Sequence, residues 1–192
     1  MKTKMTTKEL TLASILTAIV FVLQYFGCVI KFGTFSISTV LIPIVIGAAT
    51  CGSWVAAWLG FVFGIAVLAS GDAAIFLAVS VPGTIITVLL KGIGCGFAAG
   101  IVYKAVKKIS NEYLAVIAAA IVCPVINTGI FLLGCLVFFM DTVSQIALSA
   151  GWEGSTAQFM IIAFVGVNFL VEMGINIFFT PIIVRLLKIK NS

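Results

Sequence analysis

The 192-residue chain contains no histidine, and only 9% of its residues are charged. Without imidazole there is no His-dependent acid–base catalysis, no Ser-His or Cys-His nucleophile pair and no His metal site. Five cysteines (Cys28, Cys51, Cys95, Cys123, Cys135) are scattered through apolar stretches with no CxxC pair. That spacing offers neither a zinc site nor a disulfide framework, so the cysteines read as small apolar fillers. Low-complexity segments and a separate soluble domain are also lacking. What is abundant is hydrocarbon: 62% of the residues are hydrophobic, and the mean hydropathy is +1.32. A soluble domain is usually ~45–50% apolar and ~25% charged. No compact soluble fold of this size hides so much apolar surface, because surface-to-volume scaling leaves a large exposed shell. An ordinary cytosolic enzyme, a disordered chain and a nucleic-acid-binding domain are thereby excluded. The basic pI of 9.1 does not change this, since the positive charges sit at the ends of apolar runs. The expected solvent is a lipid bilayer.

A spanning helix needs ~20 mostly apolar residues. Six such runs can be drawn, at about 9–30, 35–50, 53–70, 83–104, 113–139 and 159–187. The first is too long to be a cleaved signal peptide. The second and third are short, with only Cys51-Gly52-Ser53 between them for a tight turn. With the N-terminus placed inside, nine of the eleven basic residues fall in inner segments: Lys2, Lys4, Lys8, Lys104, Lys107, Lys108, Arg185, Lys188 and Lys190. Lys31 alone falls in an outer loop, and Lys91 lies within a span. The bias of Lys and Arg toward the cytoplasm then sets the orientation. The expectation is a single all-α integral membrane domain over 1–192, with six transmembrane helices and both termini cytoplasmic in the cell membrane.

Charges inside a bilayer cost ~3 kcal/mol each on insertion scales, so each asks for a partner or a task. Lys91 in the fourth span and Glu172 in the sixth stand out, joined by Asn127, Asn168 and Asn176. At the helical rise, Lys91 and Asn168 lie roughly 12–14 Å below the outer ends of their spans, Asn127 roughly 18 Å and Glu172 roughly 20 Å. Asn176 is a turn deeper. Asn168, Glu172 and Asn176 are spaced i, i+4, i+8 and form one stripe. Thr84, Thr87 and Lys91 form another on the fourth span, and Asn127 with Thr128 add polar groups on the fifth. Three helices thus bring amides, hydroxyls, a cation and an anion to one depth. Two readings fit: a small-molecule site, or a structural Lys91–Glu172 ion pair with asparagines bridging helices. The outer connections at 70–82 and 140–158, with Asp72, Ser80, Trp152 and Glu153, are placed to cover the layer.

Gly92, Gly96 and Gly100 recur every four residues, as do Gly60 and Gly64. Such faces let helix backbones approach closely, here within the bundle rather than in a dimer. On the first span Ser14 with Ala18, and Ala13 with Thr17, make small-xxx-small pairs fit for a partner helix. Trp54 and Trp58 read as interfacial anchors near the inner surface.

The ordered set of segments over residues 8–188 resembles the substrate-binding S component of an energy-coupling-factor (ECF) vitamin transporter. The matching pieces are LASILTAIVFVL, FGTFSIST leading into VLIPIVIGAATCG, WLGFVFGIAVLASGD, TIITVLLKGIGCGFAAGIVYK, PVINTGIFLLG and NFLVEMGINIFFTPIIVRLL. The resemblance implies high-affinity binding of one vitamin at the outer side. It also implies association with a transmembrane coupling subunit and two ATPase subunits, and toppling of the S component to carry its substrate inward. No cofactor is implied. No phosphate-cradling GxxxxGK[ST] loop occurs here, so ATP hydrolysis would come from the partners. The family's Ala-x-x-x-Ala contact face on the first helix appears as Ser14 and Ala18. INTG at 126–129 and the cation Lys91 are similar to the pantothenate group, where an arginine takes the lysine's place. On that resemblance Lys91 pairs the carboxylate, Asn127, Thr128 and Asn168 serve the polar atoms, and Glu172 orients Lys91. Lysine lacks arginine's bidentate fork, which leaves folate, riboflavin and similar micronutrients open. A self-contained carrier or channel, and a small membrane enzyme without histidine, are the readings from other classes.

Overall fold

The computed structural model describes residues 5–27, 31–32, 35–36, 39–162 and 169–191. Helix α1 (Thr7–Gly27) is followed by two two-residue strands, β1 (Lys31–Phe32) and β2 (Phe35–Ser36), paired antiparallel. Then come α2 (Leu41–Thr50), α3 (Ser53–Ala69), the short α4 (Ala74–Leu77), α5 (Val81–Ile109) and α6 (Glu112–Phe138). The chain closes with α7 (Met140–Ser149), α8 (Thr156–Phe159), α9 (Leu170–Phe178) and α10 (Thr180–Asn191).

Among the described residues, four stretches are long and apolar enough to cross a bilayer: Thr7–Gly27, Val81–Ile109, Glu112–Phe138 and Leu170–Lys188. The runs drawn at 35–50 and 53–70 form shorter helices of 10 and 17 residues. At the start drawn for the first of these, Phe35 and Ser36 pair with Phe32 and Lys31 as a strand instead of forming a helical turn. At ~1.5 Å per residue, α2 covers only about 15 Å. It is apolar on every side, and a helix of that kind is expected in the interior. Leu41, Ile44, Val45 and Ala48 are all buried, and α2 packs against α1, α3, α5, α6, α9 and α10. The sixth run bends at Phe179, just before Pro181, whose ring removes a backbone donor from the continuing helix.

Helix starts follow capping chemistry. Thr6 and Glu9 exchange side-chain and backbone bonds at the entry to α1. Ser80 accepts from the Gly83 amide at 3.2 Å, with Pro82 in the first turn of α5. Asn111 accepts from the Leu114 amide at 2.8 Å to start α6. The turn between α2 and α3 is held by Gly52 at φ +94°, a conformation that a side chain would strain.

Backbone contact between α3 and α5 sets the frame. A Cβ on Gly60 would run into the Gly92 carbonyl, and one on Gly92 into the Gly60 carbonyl. Gly96 lies against the Ala56 carbonyl, and Gly100 against Ser53. Rising numbers on one helix meet falling numbers on the other, so the pair is antiparallel. The stripes at Gly60/Gly64 and Gly92/Gly96/Gly100 therefore serve packing inside the bundle. Gly92→Leu is expected to leave little monodisperse protein on detergent size-exclusion chromatography, because backbone rather than a pliable side chain stands in the way. Gly129→Ala and Gly174→Ala, with nothing within 4 Å of the added carbon, are the matched controls expected to behave as wild type.

The two ends of the bundle differ. At one end the Cys51 thiol donates to the Glu9 carbonyl, and Lys104 lies against the Gly52 turn. Lys107 pairs with Glu112 at 2.8 Å there, and Lys188 lies within electrostatic range of Glu112. This is the basic end. The other end holds a second apolar cluster of Phe76, Phe139, Val143, Ala147, Phe159 and Met160. Around the waist large apolar side chains face outward, among them Ile15, Val22, Leu90, Leu133, Val137, Leu170 and Phe178. That arrangement suits lipid and not water.

Candidate substrate-binding site

The polar layer forms in the half of the bundle away from the basic end. The antiparallel α5 and α6 bring the early residues of α5 beside the late residues of α6: Gly134 lies on the Thr87 side chain, and Gly83 beside Phe138. The same sequence logic puts Phe63, late in α3, at that level. Helix α9 enters from that end with Glu172 and Asn176 one turn apart.

Lys91 is half-buried, and its ammonium lies between two rings, 5.4 Å from the Phe63 centroid and 5.3 Å from the Phe131 centroid. Cation–π attraction of this kind is worth ~2 kcal/mol where water is excluded. Glu172 is the acid acting on it most strongly, followed by Asp72. Cys95 and Cys135 are also within electrostatic range. The close ion pair among the described residues, Lys107–Glu112, is at the basic end and not here.

The predicted residues divide by what their polar atoms do. Thr84 is buried, and its hydroxyl donates to the Ser80 carbonyl at 2.7 Å, so it is committed to its own helix. Thr87 and Asn127 are buried, and Thr87 Oγ1 and Asn127 Oδ1 meet no hydrogen-bond partner among the described residues. Glu172 is 6% exposed and Asn176 1%. Asn176 Nδ2 donates to the Glu172 carbonyl at 2.9 Å, while its Oδ1 meets no donor. Thr128 is half-buried beside Asn127. Asn168 lies outside the described residues. Buried polar atoms are nearly always satisfied in native proteins by protein or water, so each of these three oxygens, on α5, α6 and α9, leaves room for an external partner. Ser14 and Ala18 are exposed on α1, whereas Ala13 is buried and Thr17 accepts a hydrogen bond from Trp58 Nε1 at 3.2 Å. The two small-residue pairs of α1 thus face different ways, one outward and one into the bundle.

Gln24, Phe63 and Phe131 escaped the reading of the sequence, which gave Asp72 only a covering place. Asp72, delivered by the connection after α3, sits within range of Lys91 and not only over the layer. Buried Gln24 holds it, donating from Nε2 at 3.4 Å. Gln24 is the one amide side chain of α1, a signal that was available in the sequence. Phe63 and Phe131 carried no such signal, being two of sixteen phenylalanines. Phe131 is braced edge-on by Phe76, with centroids 5.6 Å apart, and Phe76 by Phe139 at 5.0 Å. Trp152 packs in the same cluster, 5.8 Å from Phe159, and its buried Nε1 has no acceptor. Trp54 and Trp58 are exposed, toward the basic end of α3.

An open groove of about 430 Å³ runs between α5 and α6, with Thr87 on its wall. Ile86, Leu90, Leu133 and Val137 line it, and its surface is apolar enough for lipid.

A half-buried cation, acids and buried amide oxygens thus lie in the apolar bundle, on α5, α6 and α9 and the connection after α3. The family model of the ECF transporter substrate-specific component matches residues 8–184. The chain belongs to that family. It is accordingly a transporter subunit and a multi-pass membrane protein, and membership implies association with ECF coupling and ATPase subunits. No curated protein and no solved structure matches the chain.

Proposed function

We propose that the protein captures a vitamin at the Lys91 cluster and delivers it inward with a separate coupling subunit and two ATPase subunits. The observation that supports this is the half-buried Lys91 of α5 within electrostatic range of Glu172 on α9, with buried oxygens of Thr87, Asn127 and Asn176 on the same three helices lacking partners among the described residues. Solvation alone does not place a cation and amides there, because each costs free energy in lipid unless something binds it.

The membrane orientation follows from charge. Lys104, Lys107, Lys108, Arg185 and Lys188 gather at the basic end, which the positive-inside rule puts in the cytoplasm of the cell membrane. The site then opens outward. Six crossings, with α2 and α3 as short ones, keep both termini inside. Pantothenate is the substrate favoured here: its carboxylate suits Lys91, and its hydroxyls and amide suit Asn127, Thr128, Asn168 and Asn176. The exposed Ser14–Ala18 face of α1 is proposed as the coupling-subunit contact, with Ala13 and Thr17 turned to internal packing.

The test is purification in mild detergent, titration with pantothenate, and uptake by proteoliposomes with and without the coupling and ATPase subunits. Binding without ATP is expected with a Kd in the nanomolar range, and uptake only with the full set. Uptake by the protein alone overturns the subunit role in favour of a self-contained carrier. Binding of folate or riboflavin in place of pantothenate overturns the substrate assignment only.

A further inference from the structure

Resting on that reading of the cluster, we infer that the substrate is rich in hydrogen-bond donors, because the inner face of its site is lined with acceptors. Asn176 establishes the sign. Its Nδ2 donates to the Glu172 carbonyl at 2.9 Å, and a carbonyl only accepts, so the amide's orientation is determined. Oδ1 is left as a pure acceptor, in a side chain 1% exposed, with no donor among the described residues. Asn127 Oδ1 adds a second buried amide oxygen without a partner. Glu172 and Asp72, when ionised, also only accept. Three nearby donors are committed, the Thr84 hydroxyl to the Ser80 carbonyl, the Thr180 hydroxyl to the Asn176 carbonyl at 3.4 Å, and Gln24 Nε2 to Asp72, while the Thr87 hydroxyl, which can donate or accept, borders the α5–α6 groove. Among the described residues, Lys91 is the cation within electrostatic range of Glu172 and Asp72.

A substrate bearing only carboxylates would satisfy Lys91 and then press oxygen against oxygen at Asn127 and Asn176. A molecule with one acceptor end for Lys91 and several hydroxyl, amide N–H or ammonium groups satisfies both sides. Pantothenate is one member of this class, and compact di- and tricarboxylates are outside it.

The discriminating pair of readouts is ligand retention and the stability of the emptied protein. Wild type, Asn176→Leu and Asn127→Leu are purified in detergent. The co-purified small molecule is identified by mass spectrometry, pantothenate is titrated as a defined probe, and the melting temperature is measured after ligand removal. Wild type is expected to carry a molecule with at least two O–H or N–H donors. Asn176→Leu should bind at least about tenfold more weakly, since one buried hydrogen bond is lost. Its emptied form should melt no lower than wild type, because an unmet acceptor has been removed. A retained molecule without donors, or variants that hold the wild-type ligand at full strength, overturns the inference while leaving the binding function intact. Full retention combined with a lowered melting temperature assigns the oxygens to a buried water and overturns it equally. If Asn176→Leu fails to fold, Asn127→Leu decides. A wild type that carries and binds nothing overturns the functional reading itself, and this inference with it.

Discussion

Lys91→Met is expected to raise the Kd for substrate at least about a hundredfold, the scale of losing one partner of a buried charge pair. Methionine keeps most of the stem and its contacts with Phe63 and Phe131 but removes the ammonium held between those rings. If Lys91 only offset Glu172, its removal would leave an uncompensated carboxylate and cost about 3–5 kcal/mol of stability. The double variant Lys91→Met with Glu172→Gln separates these roles. It should recover the melting temperature, because no lone charge remains, and still not bind. Recovery of binding in the double variant would make the lysine structural. Calorimetric titration and thermal melting on the same preparations give both readouts.

Ser14→Phe combined with Ala18→Phe is expected to abolish co-purification with the coupling subunit and uptake in proteoliposomes, while substrate affinity stays within about twofold of wild type. Both side chains face outward on α1, among exposed Leu10, Ile15 and Val22. Helices in lipid associate through close backbone approach, which two bulky rings prevent. Ala13→Phe is the contrasting variant. Ala13 is buried in the core cluster of the bundle, so a ring there should reduce the yield of folded protein before any assembly is tested. An intact complex from the Ser14/Ala18 variant would remove α1 as the docking face.

How much of this could be read from residue order depends on the kind of evidence each part left there. Long apolar runs are written directly in composition, and α1, α5 and α6 fall where 9–30, 83–104 and 113–139 were drawn, with ends displaced by a few residues. The glycine stripes were equally plain, since a four-residue repeat of the smallest side chain has one use in a helix. The short second helix was not legible. Phe35 and Ser36 read the same whether they extend a helix or pair as a strand, and strand pairing depends on a partner at Lys31 and Phe32. Lys91 and Glu172 announced themselves because charge in an apolar run is rare. Phe63, Phe131 and Phe76 did not, because an aromatic residue in such a run is the norm.

By itself, residue order determined that this chain lives in lipid, that its basic residues cluster at helix ends, and that amides and charges share a depth on three helices. Those follow from transfer free energy and helical rise, which need only local sequence. Tertiary structure alone decided that Lys91 rests between two phenylalanine rings, that Gln24 ties Asp72 to α1, and that Ser14 stays open on α1 while Thr17 meets Trp58. Each of these depends on which neighbours α3, α5, α6 and α9 present. That arrangement is set by backbone contact at Gly60 and Gly92 and by burial of α2, neither of which is expressed at the positions it controls.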